Sequence, residues 1–384
     1  MSNKAKKEYL NQIKIRYLQA NKKEKNKILD EFCEICDYNR KYAIRILNRK
    51  NIDKPKKKRT GRPRAYNNPV IIHFLKILLR MTNLICSKRL KEAIPLWIVP
   101  YEKSFCVKLS PANREKLLNI SASTIDRLIG KERRKLGKLG LSTTKPGSLI
   151  KKKVPIKTNQ WDETRPGFME ADTVAHCGSS VSGSFTYTVN MVDIATGWVE
   201  ARAIWGKGQK STFEAIRSIE AALPFKIKGF DSDNGSEFLN YHLMSYFVNR
   251  KHPVEYTRSR PYQKNDNAHI EGKNWTHIRQ YLGYERFDDP AMVRILNEMY
   301  SNDWSLFFNF FIPSSKLLDK QRQGSKIIKK HDKPKTPFQR LIETKSIPKY
   351  RKIELYRIQQ NLNPFELQTN ISTKINKVLN LCKR

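Results

Sequence analysis

Apolar positions change texture three times along the 384-residue chain. Ile28, Leu29, Phe32 and Ile35 recur at i, i+1, i+4 and i+7, the spacing of a helix with one buried face. Asp37-Tyr38-Asn39 interrupts that run, and Tyr42, Ala43, Ile44 and Leu47 resume it. Asn39 is placed to N-cap the second helix, which carries Arg40, Lys41, Arg45 and Arg49. Two short helices, a tight turn and a basic second helix predict a helix-turn-helix over 1–52, although any small helical bundle gives the same pattern. Residues 70–140 read as helical again. Ser123, with Asp126 three residues on, has capping-box spacing. In that helix Ile125, Leu128 and Ile129 fall on one side, and Arg127, Lys131, Arg133, Arg134 and Lys135 on the other. The expectation is a second helix-turn-helix domain with 121–135 as its reading helix; the alternative is a basic helix that only packs.

From residue 160 the pattern turns to strands. Residues 168–176, 184–197 and 197–206 are rich in β-branched and aromatic side chains and meet at turns. A helix over 211–223, a strand over 226–233, a helix over 236–250, a short strand over 253–257 and a helix over 269–283 follow. Three meandering strands and then alternating helix and strand predict an α/β mixed sheet of RNase H type over 160–312. Residues 53–69 and 141–159, dense in Lys, Pro and Gly without apolar periodicity, read as linkers. The basic tail, 313–384, holds a predicted helix over 365–381 and is expected to form a small C-terminal module. The fold class expected is multidomain: a helical N-terminal part, an α/β core and a basic tail.

Composition narrows the functional classes. At 39% hydrophobic the chain can build cores. It has no run of 18 apolar residues, so no transmembrane helix is expected. No apolar stretch follows the basic N-terminus, so no secretory signal is expected. Six scattered cysteines suit a reducing cytoplasm. Cys33 and Cys36 form a CxxC inside the helical pattern with no second pair nearby, which reads as buried thiols rather than a zinc site. Charge is more telling. Residues 1–150 hold 37 Lys+Arg against 12 Asp+Glu, residues 151–300 hold 20 against 18, and residues 301–384 hold 18 against 6. Two basic flanks around a near-neutral middle are the electrostatic footprint of a nucleic-acid binder. No basic amphipathic helix with a bulky apolar face favours a membrane surface instead. Gly61, Arg62, Pro63 and Arg64 resemble an AT-hook, a slim doubly basic arm suited to a narrow minor groove.

The near-neutral middle carries the candidate chemistry. Asp172 lies in mid-strand, where an apolar residue is the norm. Asp231 and Asp233 end the predicted fourth strand and share a face through the two-residue period. Asn234-Gly235 alone reads as a hairpin tip. Glu271 lies early in the helix after 258–266. Adjacent first and fourth strands, with a helix crossing their ends, bring carboxylates from distant sequence together. Like charges in such a cluster repel and call for a counter-ion, and a hard divalent cation such as Mg2+ fits oxygen ligands.

Asp172, Asp233-Asn234-Gly235 and Glu271, together with Val192–Ala201, resemble the DDE catalytic core of retroviral-type integrases and insertion-sequence transposases. The resemblance spans about 160–310, and the chain lacks the N-terminal zinc module of retroviral integrases. It implies a transposase that cleaves DNA at transposon ends and joins them to a target. It implies two Mg2+ ions, with Mn2+ able to substitute, held by the catalytic residues Asp172, Asp233 and Glu271, with Asp231, Asn234 and Gly235 in support. It also implies an oligomer on double-stranded DNA, in a cytoplasmic, nucleoid-associated setting, with no membrane partner. DNA contacts are expected from Arg40, Lys41, Arg45, Arg62, Arg64, Arg127, Lys131, Arg134, Lys273 and Arg279. The alternatives are a non-catalytic DNA-binding regulator descended from a transposase, and an RNase H-like nuclease that cuts without joining.

Overall fold

The computed structural model describes residues 1–49, 65–136, 164–232, 235, 237–238, 240–258 and 268–382. These form two compact units, Met1–Ala65 and Tyr66–Arg384. Among the described residues, no helix is long and apolar enough to cross a membrane.

The first unit is three helices: α1 (Asn3–Gln19), α2 (Lys22–Cys36) and α3 (Arg40–Leu47). Asn21 and Glu24 close a capping box at the start of α2. Asp37 turns left-handed at its end, and Asn39 caps α3 by accepting from the Lys41 amide at 3.0 Å. Ile13 and Tyr17 of α1 complete a core with Ile28, Leu29, Phe32, Cys36, Ala43 and Leu47. Cys36 is buried as a free thiol, and Cys33 half-buried.

The second unit opens with α4 (Pro69–Met81), α5 (Ser87–Ser104), α6 (Pro111–Asn119) and α7 (Ala122–Leu136). The cap of α7 is Ser121, not Ser123: its hydroxyl accepts from the Thr124 amide at 3.1 Å. Asp126 instead accepts from Ser87 and Arg133, tying α7 to α5.

A five-stranded sheet follows, built from β1 (Phe168–Ala175), β2 (Thr186–Asp193), β3 (Val199–Trp205), β4 (Gly229–Ser232) and β5 (Glu255–Arg258), in the order β3-β2-β1-β4-β5. β1, β2 and β3 pair antiparallel, and β4 joins β1 and β5 in parallel. Helix α8 (Gln209–Ala222) links β3 to β4, and α9 (Tyr241–Val248) links β4 to β5. This mixed sheet has the pattern expected over 160–312, three meandering strands and then helix and strand in alternation. After β5 come α10 (Ala268–Lys273), a wide π-helical stretch Asn274–Arg279, and α11 (Gln280–Leu282). Then α12 (Ala291–Met299), a second π stretch and α13 (Ser305–Phe311) cover the β3 edge. There Asn297 bonds both backbone groups of Ala203, and Asn309 both of Val199, so side-chain amides satisfy an otherwise open strand edge.

The tail differs from the separate module expected over 313–384. It comprises a two-stranded ribbon, β6 (Leu317–Gln323) and β7 (Lys326–His331), then α14 (Pro337–Glu343), α15 (Lys349–Asn361) and α16 (Pro364–Leu381). Phe338, Leu341, Phe365, Ile371 and Val378 are buried in one core with α4–α7 and the sheet. Trp97 of α5 packs edge-on against Phe365 at 5.0 Å and donates to the Phe311 carbonyl at 3.2 Å. Helices read as a free-standing second domain, and a tail read as a third, are thus joined to the sheet by shared aromatic packing.

Candidate active site

Asp172 stands in mid-β1 opposite Asn190 of β2. Its Oδ1 accepts from the Thr173 amide at 2.7 Å, and its Oδ2 accepts from Asn274 Nδ2 at 2.7 Å. Asn274 Oδ1 in turn accepts from Asn190 Nδ2 at 2.7 Å. Asn274 lies three residues beyond Glu271, where the helix widens. Two residues before Asp172, the buried Glu170 accepts from the Ile270 amide at 2.9 Å through Oε2. The segment carrying Glu271 is therefore fastened to β1 at both ends, by Glu170 below and by Asp172 above. Glu271 itself is solvent-exposed beside this seam.

Asp231 of β4 sits in register with Glu170 and with Thr257 of β5. It is buried and accepts from the Thr257 hydroxyl at 2.6 Å. Burial pushes the Glu170 carboxyl up to about 8, with the charges of Asp231 and Glu271 adding to the rise and the Ile270 and His269 amides opposing it. Acid groups thus crowd one side of the sheet closely enough to feel one another.

Asp233 and Asn234 lie outside the described residues. Gly235 is described, and its neighbour Glu237 is buried and ion-paired to Lys207 at 2.7 Å. A β-carbon on Gly235 would stand 2.5 Å from the Glu237 carboxylate oxygens, so any larger residue there would displace that acid. Among the described residues no group of three His, Cys, Asp or Glu is arranged to hold a metal ion. The donor type fits a hard cation: Asp172 and Glu271 both offer carboxylate oxygens. Those two residues would supply oxygen ligands.

Other predicted residues separate into surface and interior. Lys41 and Arg45 of α3 are exposed, with Arg45 over the Tyr42 ring at 5.0 Å; Arg40 is ion-paired to Asp30. Arg127, Lys131 and Arg134 lie exposed along α7. Arg62 and Arg64 fall outside the described residues. Lys273 and Arg279 are placed differently from the phosphate contacts expected of them. Burial, then the charges of Arg89 and Arg340, pull the Lys273 amine down to about 7, and it lies 3.4 Å from His277 Nε2. Arg279 donates to the Ala175 carbonyl at 2.6 Å and stacks on Tyr284. Arg279 thereby ties the helix to β1, and Lys273 turns inward along its own helix. His176 is wholly buried, stacked on Phe287 at 4.6 Å and bonded to Thr188 at 2.9 Å. Asp193 caps the Thr196 turn.

Three contributors escaped the sequence reading: Glu170, Asn274 and Glu237. Glu170 shares the two-residue period of Asp172, which was the available signal. Asn274 and Glu237 sit where polar residues are unremarkable.

Strand order, register and a helix segment fastened to the first strand make up a mixed α/β core. No protein-family profile matches the chain. It is 35% identical over 335 residues to the uncharacterized protein y4rM of Sinorhizobium fredii, a match covering 85% of this chain and 91% of that one. The chain belongs to the same family as y4rM. Among solved structures it is similar to the HTLV-2 integrase catalytic core domain in complex with magnesium, in its dimeric form. That match has 14% identity, covers 39% of this chain and 90% of the other, and gives a TM-score of 0.28. A simian T-cell lymphotropic virus intasome in complex with the PP2A regulatory subunit B56 gamma matches at 12% identity, over 65% of this chain and 76% of that chain, with a TM-score of 0.35.

Proposed function

We propose that the chain is a DDE-type polynucleotidyl transferase of the insertion-sequence kind, which cleaves DNA at the ends of its element and joins them to a target. The observation that supports this most is the double fastening of the Glu271 segment to β1, at Glu170 and at Asp172. In this reading Asp172 and Glu271, with Asp233, are the metal ligands and catalytic residues. Asp231 and Gly235 support the strand end, and Asn234 is assigned to the same turn. Asn274 sets the rotamer of Asp172, and Glu170 anchors the first turn of α10. Divalent magnesium bound there would make an attacking water or 3′-hydroxyl more acidic and polarise the scissile phosphate. The protein's own task is positioning, because in-line phosphoryl transfer depends on alignment more than on a protein nucleophile. Exposed cations on α3 and α7 would hold the duplex, and pairing two ends would require an oligomer.

The test is strand transfer in vitro. Purified chain is incubated with a labelled element-end duplex, a supercoiled target and Mg2+, alongside Glu271→Gln and Asp172→Asn. Joined product from the wild type alone is expected, with DNA binding kept in all three proteins. Nicking without joining would replace this reading with the nuclease, and binding without cleavage in Mg2+ or Mn2+ would replace it with the regulator.

A further inference from the structure

Among the described residues, β6 and β7 form a sheet of two strands alone. Its fifteen residues from Leu317 to His331 carry Lys320, Arg322, Lys326, Lys329 and Lys330 against a single acid, Asp319. An isolated two-stranded hairpin is marginal in water. Lys326, Lys329 and Lys330 all stand exposed on it. Its apolar residues do not make a face: Ile327 and Ile328 point to opposite sides, each about half exposed. A protein or membrane partner would ask for one apolar face, whereas both faces here carry cations.

The base, by contrast, is firmly built. Ser314 and Lys335 exchange backbone bonds at 2.9 and 3.1 Å, and Lys316 and Asp332 close the next rung. Arg340, mostly buried, grips Asp332 at 2.7 Å. Lys316 donates to the Ala195 carbonyl at 2.9 Å, fixing the base to the β2–β3 turn. At that turn a β-carbon on Gly197 would stand 3.8 Å from Ser314 Oγ and 3.9 Å from Lys273 Nζ. The ribbon thus springs from a rigid mount at the β2–β3 turn, which Lys273, two residues beyond Glu271, also approaches.

We propose that the β6–β7 ribbon is a nucleic-acid arm that lies along duplex DNA, its lysines neutralising phosphates. A two-stranded ribbon has the width of the major groove, and exposed lysines on it can neutralise backbone phosphates. Which DNA it meets rests on the joining reading above; its affinity for duplex phosphates does not. The test measures binding of the full chain to a labelled duplex of arbitrary sequence over a series of NaCl concentrations without divalent metal. It compares wild type with a Lys326→Gln, Lys329→Gln, Lys330→Gln triple and with the same three changed to Arg. Each lost phosphate contact lowers the slope of log affinity against log salt by about 0.9, so the glutamine triple is expected to lose about 2 to 3 and the arginine triple to keep the slope. An unchanged slope in the glutamine triple overturns the proposal. So does an equal loss in both triples, since charge would then not be what binds. A change of oligomeric state without DNA, at constant slope, overturns it in favour of a second copy of the chain. Strand transfer is not read in this assay, so failure here and failure of the joining reaction are separable.

Discussion

Replacing Asn274 by alanine removes the amide that donates to Asp172 Oδ2 at 2.7 Å and accepts from Asn190 at 2.7 Å. A hydrogen bond to a charged group contributes about 1.5–3 kcal/mol, which corresponds to roughly 10- to 150-fold in a rate or a binding constant. Partners of metal ligands, when removed, typically cost about 10–100-fold in metal affinity or activity, so the two estimates meet. Asn274→Ala is therefore expected to lower strand transfer at saturating DNA by about 10–100-fold and to raise the Mg2+ concentration at half-maximal rate, with DNA affinity unchanged. It also leaves the wholly buried Asn190 amide without its acceptor, at about 1–3 kcal/mol of fold stability. Asn190→Ala is the control, because it cuts the outer bond and leaves the inner one on Asp172. The assay is a Mg2+ titration of joining with both variants, with melting curves beside it. An Asn274→Ala enzyme with wild-type rate and Mg2+ requirement refutes the positioning role. Equal losses in both variants would refute it too, since packing rather than the Asp172 bond would then be responsible.

Two other perturbations follow from single contacts. His176 is held at about 3 by burial and by Arg279, and its Nδ1 has no partner, so the fold disfavours the imidazolium. Its stabilising contribution is complete above pH 6.5 and is lost as pH falls toward 3, at up to about 1.4 kcal/mol per pH unit; denaturant melts over that window should be steeper in wild type than in His176→Phe, and parallel slopes would sink the assignment. Gly235→Ala places a β-carbon 2.5 Å from the buried Glu237 carboxylate, which must then move away from its Lys207 ion pair. Joining is expected to fall more than tenfold while stability falls by only about 1–3 kcal/mol; full joining activity in the variant would show that this turn does not bear on the reaction.

What the sequence disclosed depended on whether a residue broke its local pattern. β1 to β3 were legible because β-branched and aromatic runs met at turns; the structure begins each within two residues of its expected start and ends β2 four residues early, at Asp193. The helix expected over 236–250 starts only at Tyr241, because Asn240 caps it by accepting from the Leu243 amide and Phe238 is spent on the core. The ribbon was missed because Leu-Leu-Asp-Lys and Lys-Ile-Ile-Lys put apolar residues on both faces and so show no alternation. Module boundaries were misjudged because Trp97 meets Phe365 across more than half the chain, a contact no local period encodes. The same logic divides the site. Asp172 announced itself as an acid in a strand that should be apolar there. Asn274, on a helix surface, occupies a place where any polar residue would pass. A supporting residue of that kind becomes visible only when distances show that its amide spans two strands, and the Mg2+ titration above asks whether that span matters.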